Sequence, residues 1–152
     1  GKLTWIPLYG ILIYFLYKRY KTECWKSVLY LVSTVVFADQ FSSSLLKPLF
    51  KRLRPCHVDE FQSWIHLPAG CGGQFGFCSS HAANSFAIAI GFYLLSKNKF
   101  AGVALILWAS IISYSRIYLG AHYPLDVIVG ALVGGIGAWA LFKAYQRLIK
   151  KS

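Results

Sequence analysis

The chain alternates long apolar segments with short clusters of basic residues. Five apolar segments stand out, at residues 3–17, about 24–46, about 81–96, 100–117 and about 123–142. A membrane-spanning helix needs roughly 20 apolar residues, and about 17 suffice when flanking basic side chains reach back to the interface. The pattern therefore predicts an all-α, integral-membrane helical bundle with five visible helices and an interfacial loop between the second and the third.

The amino-acid composition agrees with a membrane protein. Of the 152 residues, 57% are hydrophobic and 14% are charged, whereas a soluble domain is about 45–50% apolar and 25% charged. The length suits one domain, which we expect to cover residues 1–152. Because the chain contains no Met and its first apolar segment is short, we expect part of the sequence to be missing before Gly1.

The positive charge is distributed in a way that predicts an orientation. The net charge of +11 lies in clusters between apolar segments, which is typical of membrane proteins and does not indicate nucleic-acid binding. If every segment spans, the clusters within residues 18–26, 97–99 and 143–151 share one side, which should be cytoplasmic. We therefore expect a multi-pass protein of the cell (inner) membrane, with residues 47–80 and 116–122 facing the periplasm or exterior. That side also receives the remaining basic residues, Lys2, Lys47, Lys51, Arg52, Arg54 and Arg116.

The one long loop, residues 56–78, carries aromatic residues and most of the cysteines. Its aromatic side chains predict a cap at the membrane interface, to which a lid or substrate entrance can be added; they are Phe61, Trp64, Phe75 and Phe77. The four cysteines of the chain are Cys24, Cys56, Cys71 and Cys78. One disulfide among the last three is favoured if the loop faces an oxidising compartment. A metal site that adds His57 or His66 is the alternative, although the spacing matches no common ligand pattern.

The fifth apolar segment contains two glycines four residues apart, Gly130 and Gly134. Small residues at this spacing let two membrane helices approach closely. The pattern predicts tight helix packing and no chemistry.

A first group of ionisable residues lies in KPLFKRLRP, which begins at Lys47. In a helix, Lys47 and Arg54 return to nearly the same face, because seven residues make about two turns. Lys51 falls near that face, Arg52 points more outward, and Pro55 ends the helix. The alternative is a basic patch that binds anionic lipid headgroups.

A second group is CSSH, residues 78–81, directly before the third apolar segment. Ser79 or Ser80 is a suitable N-cap. The start of a helix offers free backbone N–H groups and a partial positive charge, which together bind phosphate. His81 would lie in the first turn, facing that phosphate. The alternative is a simple cap with a histidine at the membrane interface.

The third group lies in SRIYLGAHYPLD, residues 115–126. His122 and Asp126 are four residues apart and share a helix face, so the carboxylate can accept the imidazole N–H and leave the other ring nitrogen as a nucleophile or base. Pro124 fits the first turn of this helix, and Arg116 ends the preceding segment. The alternative is a purely structural His–Asp pair.

All three groups fall at membrane ends on the same predicted side. Charge near the bilayer is costly and usually functional. Together the groups provide cations for a phosphate, a helix N-terminus and two histidines, one of which has an acid partner. This set predicts phosphoryl chemistry, with anion binding, nucleophilic attack and protonation of a leaving group.

These residues closely resemble the type 2 phosphatidic acid phosphatase (PAP2) superfamily, which includes vanadium haloperoxidases and glucose-6-phosphatase. The family signature reads K-x6-RP, PSGH and SR-x5-H-x3-D. The matching residues are Lys47, Arg54 and Pro55; Cys78, Ser79, Ser80 and His81; and Ser115, Arg116, His122 and Asp126. The second motif departs from the pattern, with Cys in place of Pro and Ser in place of Gly. The resemblance covers about residues 45–130. It implies a bundle of about six helices, of which five are visible, so one further N-terminal helix is expected to be absent from this chain.

The resemblance also implies a mechanism. His122 attacks phosphorus and forms a phosphohistidine, while Asp126 orients His122. His81 protonates the departing oxygen and then activates water. The phosphoryl oxygens are bound by Lys47, Arg54, Ser79, Ser80 and Arg116. No metal or other cofactor is needed, because the cations neutralise the charge on these oxygens.

The predicted function is that of a lipid phosphate or pyrophosphate phosphatase. Candidate substrates are undecaprenyl pyrophosphate, phosphatidylglycerophosphate, phosphatidic acid and the phosphates of lipid A, and family analogy favours an isoprenoid pyrophosphate or a broad lipid-phosphate range. The expected partners are thus a lipid phosphate and membrane lipids, and the oligomeric state is open. One alternative is a phosphotransferase that uses a lipid or sugar hydroxyl as acceptor. An inert lipid-binding membrane protein is an alternative from another class.

Overall fold

A computed structural model describes residues 5–61, 63, 65 and 70–149 of the chain. The helices in this part are α1 (Trp5–Tyr20), α2 (Cys24–Gln40), α3 (Lys47–Phe50), α4 (Ser80–Ser96), α5 (Lys99–Tyr118) and α6 (Pro124–Ile149). The described residues contain no β-strand, so the predicted all-α class is confirmed. The predictions that involve Lys2, Trp64, His66, Lys150 and Lys151 lie outside the described residues.

The apolar segments form helices that suit a membrane. Among the described residues, three helical stretches can cross a bilayer by length and composition: Trp5–Phe50, which contains α1 to α3, Lys99–Tyr118 and Pro124–Ile149. Large apolar side chains remain exposed along α5, with Phe100 89% and Ile111 70% accessible. Contiguous apolar surface of this kind marks a face that meets lipid or a partner. Together with the length of the helices, it identifies a membrane protein.

Helix α4 lies at the centre of the bundle and packs most closely on α6. A Cβ atom added to Gly130 would lie 2.5 Å from the carbonyl oxygen of Ser79. One added to Gly134 would overlap the carbonyl oxygen of Ala83. The two glycines therefore allow backbone-to-backbone contact between the helices, and the close packing predicted for this pair is confirmed.

The basic clusters at the turns lie together at one end of the bundle. The Tyr20 hydroxyl donates a 2.8 Å hydrogen bond to the carbonyl of Leu95, which joins the end of α1 to the end of α4. Lys97 Nζ lies 5.0 Å from the centroid of the Phe142 ring near the end of α6. The ends of α3 and α5 and the starts of α4 and α6 consequently meet at the opposite end, where the three predicted groups of ionisable residues lie.

The helix that carries Lys47 ends earlier than the sequence predicts. Helix α2 continues through a π-helical segment, Phe41–Leu46, into the single turn of α3. Lys51 then adopts a left-handed conformation with a φ of 47° and ends the helix. Leu53 forms an antiparallel bridge with Phe75, so the chain is already extended before Arg54. The prediction that Pro55 ends the helix was wrong, and Lys47 and Arg54 do not share a helix face.

The loop that follows is joined by a disulfide between Cys56 and Cys71. Cys24 and Cys78 are buried free thiols in the described part of the chain. The disulfide uses two of the three cysteines of the alternative metal site, so that site does not form. The backbone N–H of Cys56 donates to the carbonyl of Gly120 at 3.2 Å, which joins the loop to the turn between α5 and α6.

Candidate active site

The side chain of Lys47 reaches the start of α4. Its Nζ donates a hydrogen bond of 2.7 Å to the hydroxyl of Ser80. The hydroxyls of Ser42 and Ser43, in the π-helical segment, lie 3.0 and 2.9 Å from the same oxygen. The Ser80 hydroxyl therefore holds the Lys47 side chain beside the start of α4 and links α3 to α4.

Ser79 is the N-cap of α4, as predicted. Its buried side chain accepts from the backbone N–H of Ala82 at 3.4 Å. Its own backbone N–H donates to the carbonyl of Asp126 at 2.9 Å, so the starts of α4 and α6 are joined directly. His81 follows in the first turn of α4 with an exposed side chain, which is the placement that proton exchange with substrate and water requires.

His122 and Asp126 form a buried pair around the start of α6. His122 precedes this helix, which begins at Pro124, so the two residues do not share a helix face, contrary to the prediction. Their side chains are 2% and 0% accessible, and His122 Nδ1 lies 3.7 Å from Asp126 Oδ2. This distance is too long for a hydrogen bond, and Nδ1 has no hydrogen-bond partner among the residues that the structure describes. Asp126 Oδ2 instead accepts the backbone N–H of Tyr123 at 2.9 Å. The carboxylate thereby caps α6 and faces the imidazole at the same time.

Burial and nearby cations act on the imidazole of His122. Burial is the largest cause that lowers its pKa below the ordinary value, and the positive charges of Arg54 and Lys47 lower it further. The carboxylate of Asp126 opposes this shift. The neutral imidazole, which is the nucleophilic form, is therefore favoured near pH 7.

Arg54 and Arg116 approach the same site from two other segments. Arg54 Nε donates to the carbonyl of Phe75 at 3.3 Å, and burial lowers the pKa of Arg54 while the charge of Asp126 raises it. Arg116 lies in the last turn of α5, and its carbonyl accepts the backbone N–H of His122 at 3.2 Å. Burial, together with the positive charges of Arg116, Lys47 and Arg54, lowers the pKa of His81 to about 4. A bound phosphate anion would oppose this shift. Residues that lie far apart in sequence thus converge at one end of the bundle.

Arg52 is the residue that the sequence interpretation misplaced. It was expected to point outward, but its Nη1 lies 3.1 Å from Asp126 Oδ1, and its guanidinium carbon lies 4.2 Å from the centroid of the Tyr123 ring. Lys51, expected near the active face, is exposed instead. Because Lys51 adopts a left-handed conformation, the Lys51 side chain points outward and the Arg52 side chain points inward. Helical spacing does not predict this exchange.

Comparison with known proteins agrees with the convergence of these residues. Residues 23–150 match the sequence profile described as the PAP2 superfamily. The chain belongs to the PAP2 superfamily. The resemblance found in the three motifs is therefore confirmed over most of the chain.

Several relatives in this superfamily carry names that describe lipid phosphatases. The chain is 41% identical over 154 residues to a lipid A 4'-phosphatase of Bacteroides thetaiotaomicron, and the alignment covers 97% of this chain and 67% of the relative. It is 34% identical to a lipid A 4'-phosphatase of Porphyromonas gingivalis, covering 95% and 62% of the two chains. It is 30% identical to an undecaprenyl-diphosphatase of Sulfolobus acidocaldarius, covering 94% and 63%. The chain thus spans about two thirds of the length of these relatives, and no solved structure matches it.

Proposed function

We propose that this PAP2 protein is a membrane lipid phosphatase that transfers a phosphoryl group to His122 and then to water. The observation that carries the proposal is the meeting of the three motifs at one end of the bundle. His122 and its carboxylate partner lie at the start of α6, and His81 lies at the start of α4. Lys47, Arg54 and Arg116 add three cations around them.

In the first step, a phosphoryl group binds between the cations and the start of α4. Lys47, Arg54 and Arg116 neutralise its oxygens, and backbone N–H groups at Ser79 and Ser80 add hydrogen bonds. The Nε2 lone pair of His122 attacks phosphorus as the bond to the leaving oxygen breaks. His81 donates a proton to that oxygen, so the lipid leaves as an alcohol or a monophosphate.

In the second step, His81 acts in the opposite direction. It removes a proton from a water molecule, whose oxygen attacks the phosphohistidine. The P–N bond breaks, its electron pair returns to His122, and inorganic phosphate leaves. Asp126 stabilises the imidazolium that exists between the two steps. Because the three cations supply the neutralising charge, we expect the reaction to proceed without added divalent metal.

The names of the relatives suggest which substrate to test first. Family analogy alone favoured an isoprenoid pyrophosphate or a broad lipid-phosphate range. The relatives that share 41% and 34% identity with the chain are both named as lipid A 4'-phosphatases. A lipid A phosphate monoester is therefore the first candidate substrate, and undecaprenyl pyrophosphate is the second.

The disulfide supports the proposed orientation. Disulfides persist in oxidising compartments such as the bacterial periplasm. The Cys56–Cys71 bridge lies in the loop that carries Arg54, at the end of the bundle opposite the basic turns. Both features support a site at the periplasmic or exterior face of the cell membrane, with the basic turns in the cytoplasm.

A substrate panel tests the proposed function. The full chain, purified in detergent, is assayed for phosphate release from lipid A, undecaprenyl pyrophosphate, phosphatidylglycerophosphate and phosphatidic acid. We expect release from at least one of them without added metal, and inhibition by vanadate. Phosphate recovered on an added sugar or lipid hydroxyl would instead indicate a phosphotransferase. No release from any of the four would contradict the proposed function.

A further inference from the structure

Asp126 is bound on two sides before any substrate is present. Oδ2 accepts the backbone N–H of Tyr123 at 2.9 Å, and Oδ1 lies 3.1 Å from Arg52 Nη1. The carboxylate is fully buried, and a buried anion needs a partner for each oxygen to remain stable. In the described part of the chain, Arg52 is the ion-pair partner that supplies the second contact.

Arg52 is itself held in place by its surroundings. Its carbonyl accepts the backbone N–H of Gly76 at 2.8 Å, and its guanidinium lies on the face of the Tyr123 ring. Stacking on an aromatic face restricts a planar guanidinium in a way that a lysine ammonium does not share. Arg52 is therefore both anchored and oriented toward Asp126, while 36% of its side chain is exposed.

We propose that Arg52 is a positioning residue, which fixes the carboxylate of Asp126 so that Oδ2 faces His122 Nδ1. Without the Arg52 contact, Oδ1 is buried and unpaired, and the carboxylate turns away to find another donor. His122 Nδ1 already lies 3.7 Å from Oδ2, so a small rotation is enough to remove its acid partner. Arg52 then contributes to catalysis through Asp126, without contacting the phosphate.

This role rests on the proposed function and makes a specific kinetic prediction. Asp126 stabilises the imidazolium charge, which is absent when the substrate first binds. Loss of an interaction made only in the transition state lowers kcat and kcat/KM equally. We expect Arg52→Ala to lower kcat by about 10- to 100-fold, the range found when an outer partner of a metal-bound histidine is removed. KM should stay within about 3-fold, because the phosphate-binding cations are intact.

The test is a double-mutant cycle in the full chain in detergent, with the lipid phosphate that the wild type hydrolyses fastest. Arg52→Ala is measured in the wild type and in an Asp126→Ala background. If Arg52 acts through Asp126, its loss costs less than about 3-fold in kcat when Asp126 is already absent. An equal loss in both backgrounds, or a rise in KM in place of a fall in kcat, would overturn the role.

Two further variants keep the result interpretable. Lys51→Asn removes the neighbouring positive charge from an exposed position, and asparagine tolerates the left-handed backbone there. This variant should therefore leave kcat and KM unchanged. Arg52→Lys keeps the positive charge but loses the stacked planar group, so it should recover only part of the kcat that Arg52→Ala loses, with KM unchanged. Full activity in Arg52→Ala would contradict the proposal. A folded Arg52→Lys protein that is no more active than Arg52→Ala would contradict it too. An inactive wild type would contradict the proposed function instead.

Discussion

Lys47 donates a 2.7 Å hydrogen bond to the hydroxyl of Ser80, the residue at which the second motif departs from the family's glycine. The lysine must leave this hydroxyl, or share it, when it binds a phosphoryl oxygen. The departure from the motif thus affects the resting position of Lys47, the proposed phosphate-binding cation.

We therefore expect Ser80→Gly to retain activity and to bind substrate more tightly. Lys47 loses its resting partner, so KM should fall by about 2- to 5-fold, equivalent to roughly 0.4–1 kcal/mol, while kcat stays within a factor of about 3. Steady-state kinetics on a lipid phosphate measure both quantities. Ser43→Ala is the control, because it keeps the Lys47–Ser80 bond. A loss of kcat in Ser80→Gly would mean that the hydroxyl itself acts in the reaction.

The role of His81 predicts a dependence on the leaving group. His81→Ala should lower kcat by about 10²- to 10⁴-fold on a lipid phosphate, with a small change in KM. The loss should be much smaller for an aryl phosphate, whose leaving oxygen needs no proton. A comparison of the two substrates in one preparation measures this difference. Equal losses on both would remove His81 from the acid role.

The shifted pKa of His122 predicts how its protonation depends on pH. Burial and nearby cations lower this pKa. The imidazole should therefore stay neutral at pH values somewhat below the ordinary histidine pKa of about 6.5. Arg54→Ala removes one of the lowering charges, so it should move the titration of His122 upward. NMR titration of the imidazole signal that disappears in His122→Ala measures both values. A titration above pH 6.5 in the wild type would contradict the buried site.

The packing of α4 on α6 gives a test of the fold with a matched control. Gly134→Ala places a methyl group against the backbone of Ala83, and overpacking of this kind costs about 1–3 kcal/mol in the free energy of unfolding. At Gly135, the nearest heavy atom to an added Cβ is Ile90 Cγ1 at 3.8 Å, so Gly135→Ala should be neutral or slightly stabilising. Thermal unfolding in detergent, followed by circular dichroism, compares the two. Equal midpoints would contradict the close contact.

The apolar pattern was sufficient to predict the helices. The predicted segment 81–96 matches α4, whose N-cap Ser79 was among the predicted caps, and the predicted segment 100–117 lies within α5. The i, i+4 spacing also predicted that His122 and Asp126 would be neighbours, and they are, although His122 lies in the turn before α6. Such relationships depend on local geometry, which the sequence carries directly.

The arrangement between Lys47 and Pro55 could not be predicted in the same way. Lys51 ends α3 in a left-handed conformation, which usually requires Gly or Asn, so the sequence holds no signal for the break. The inward position of Arg52 depends on that break and on a bridge to the distant Phe75. The choice of Cys71 as the partner of Cys56 likewise depends on three-dimensional proximity.

The central claim is that His122 is the nucleophile, and one measurement tests it most directly. The wild type and His122→Ala are purified in detergent and assayed for phosphate release from a lipid phosphate without divalent metal. Circular dichroism confirms that both are folded. We predict that His122→Ala releases phosphate at least about 10³-fold more slowly and traps no acid-labile phosphoenzyme. Full activity in a folded His122→Ala protein would contradict the mechanism.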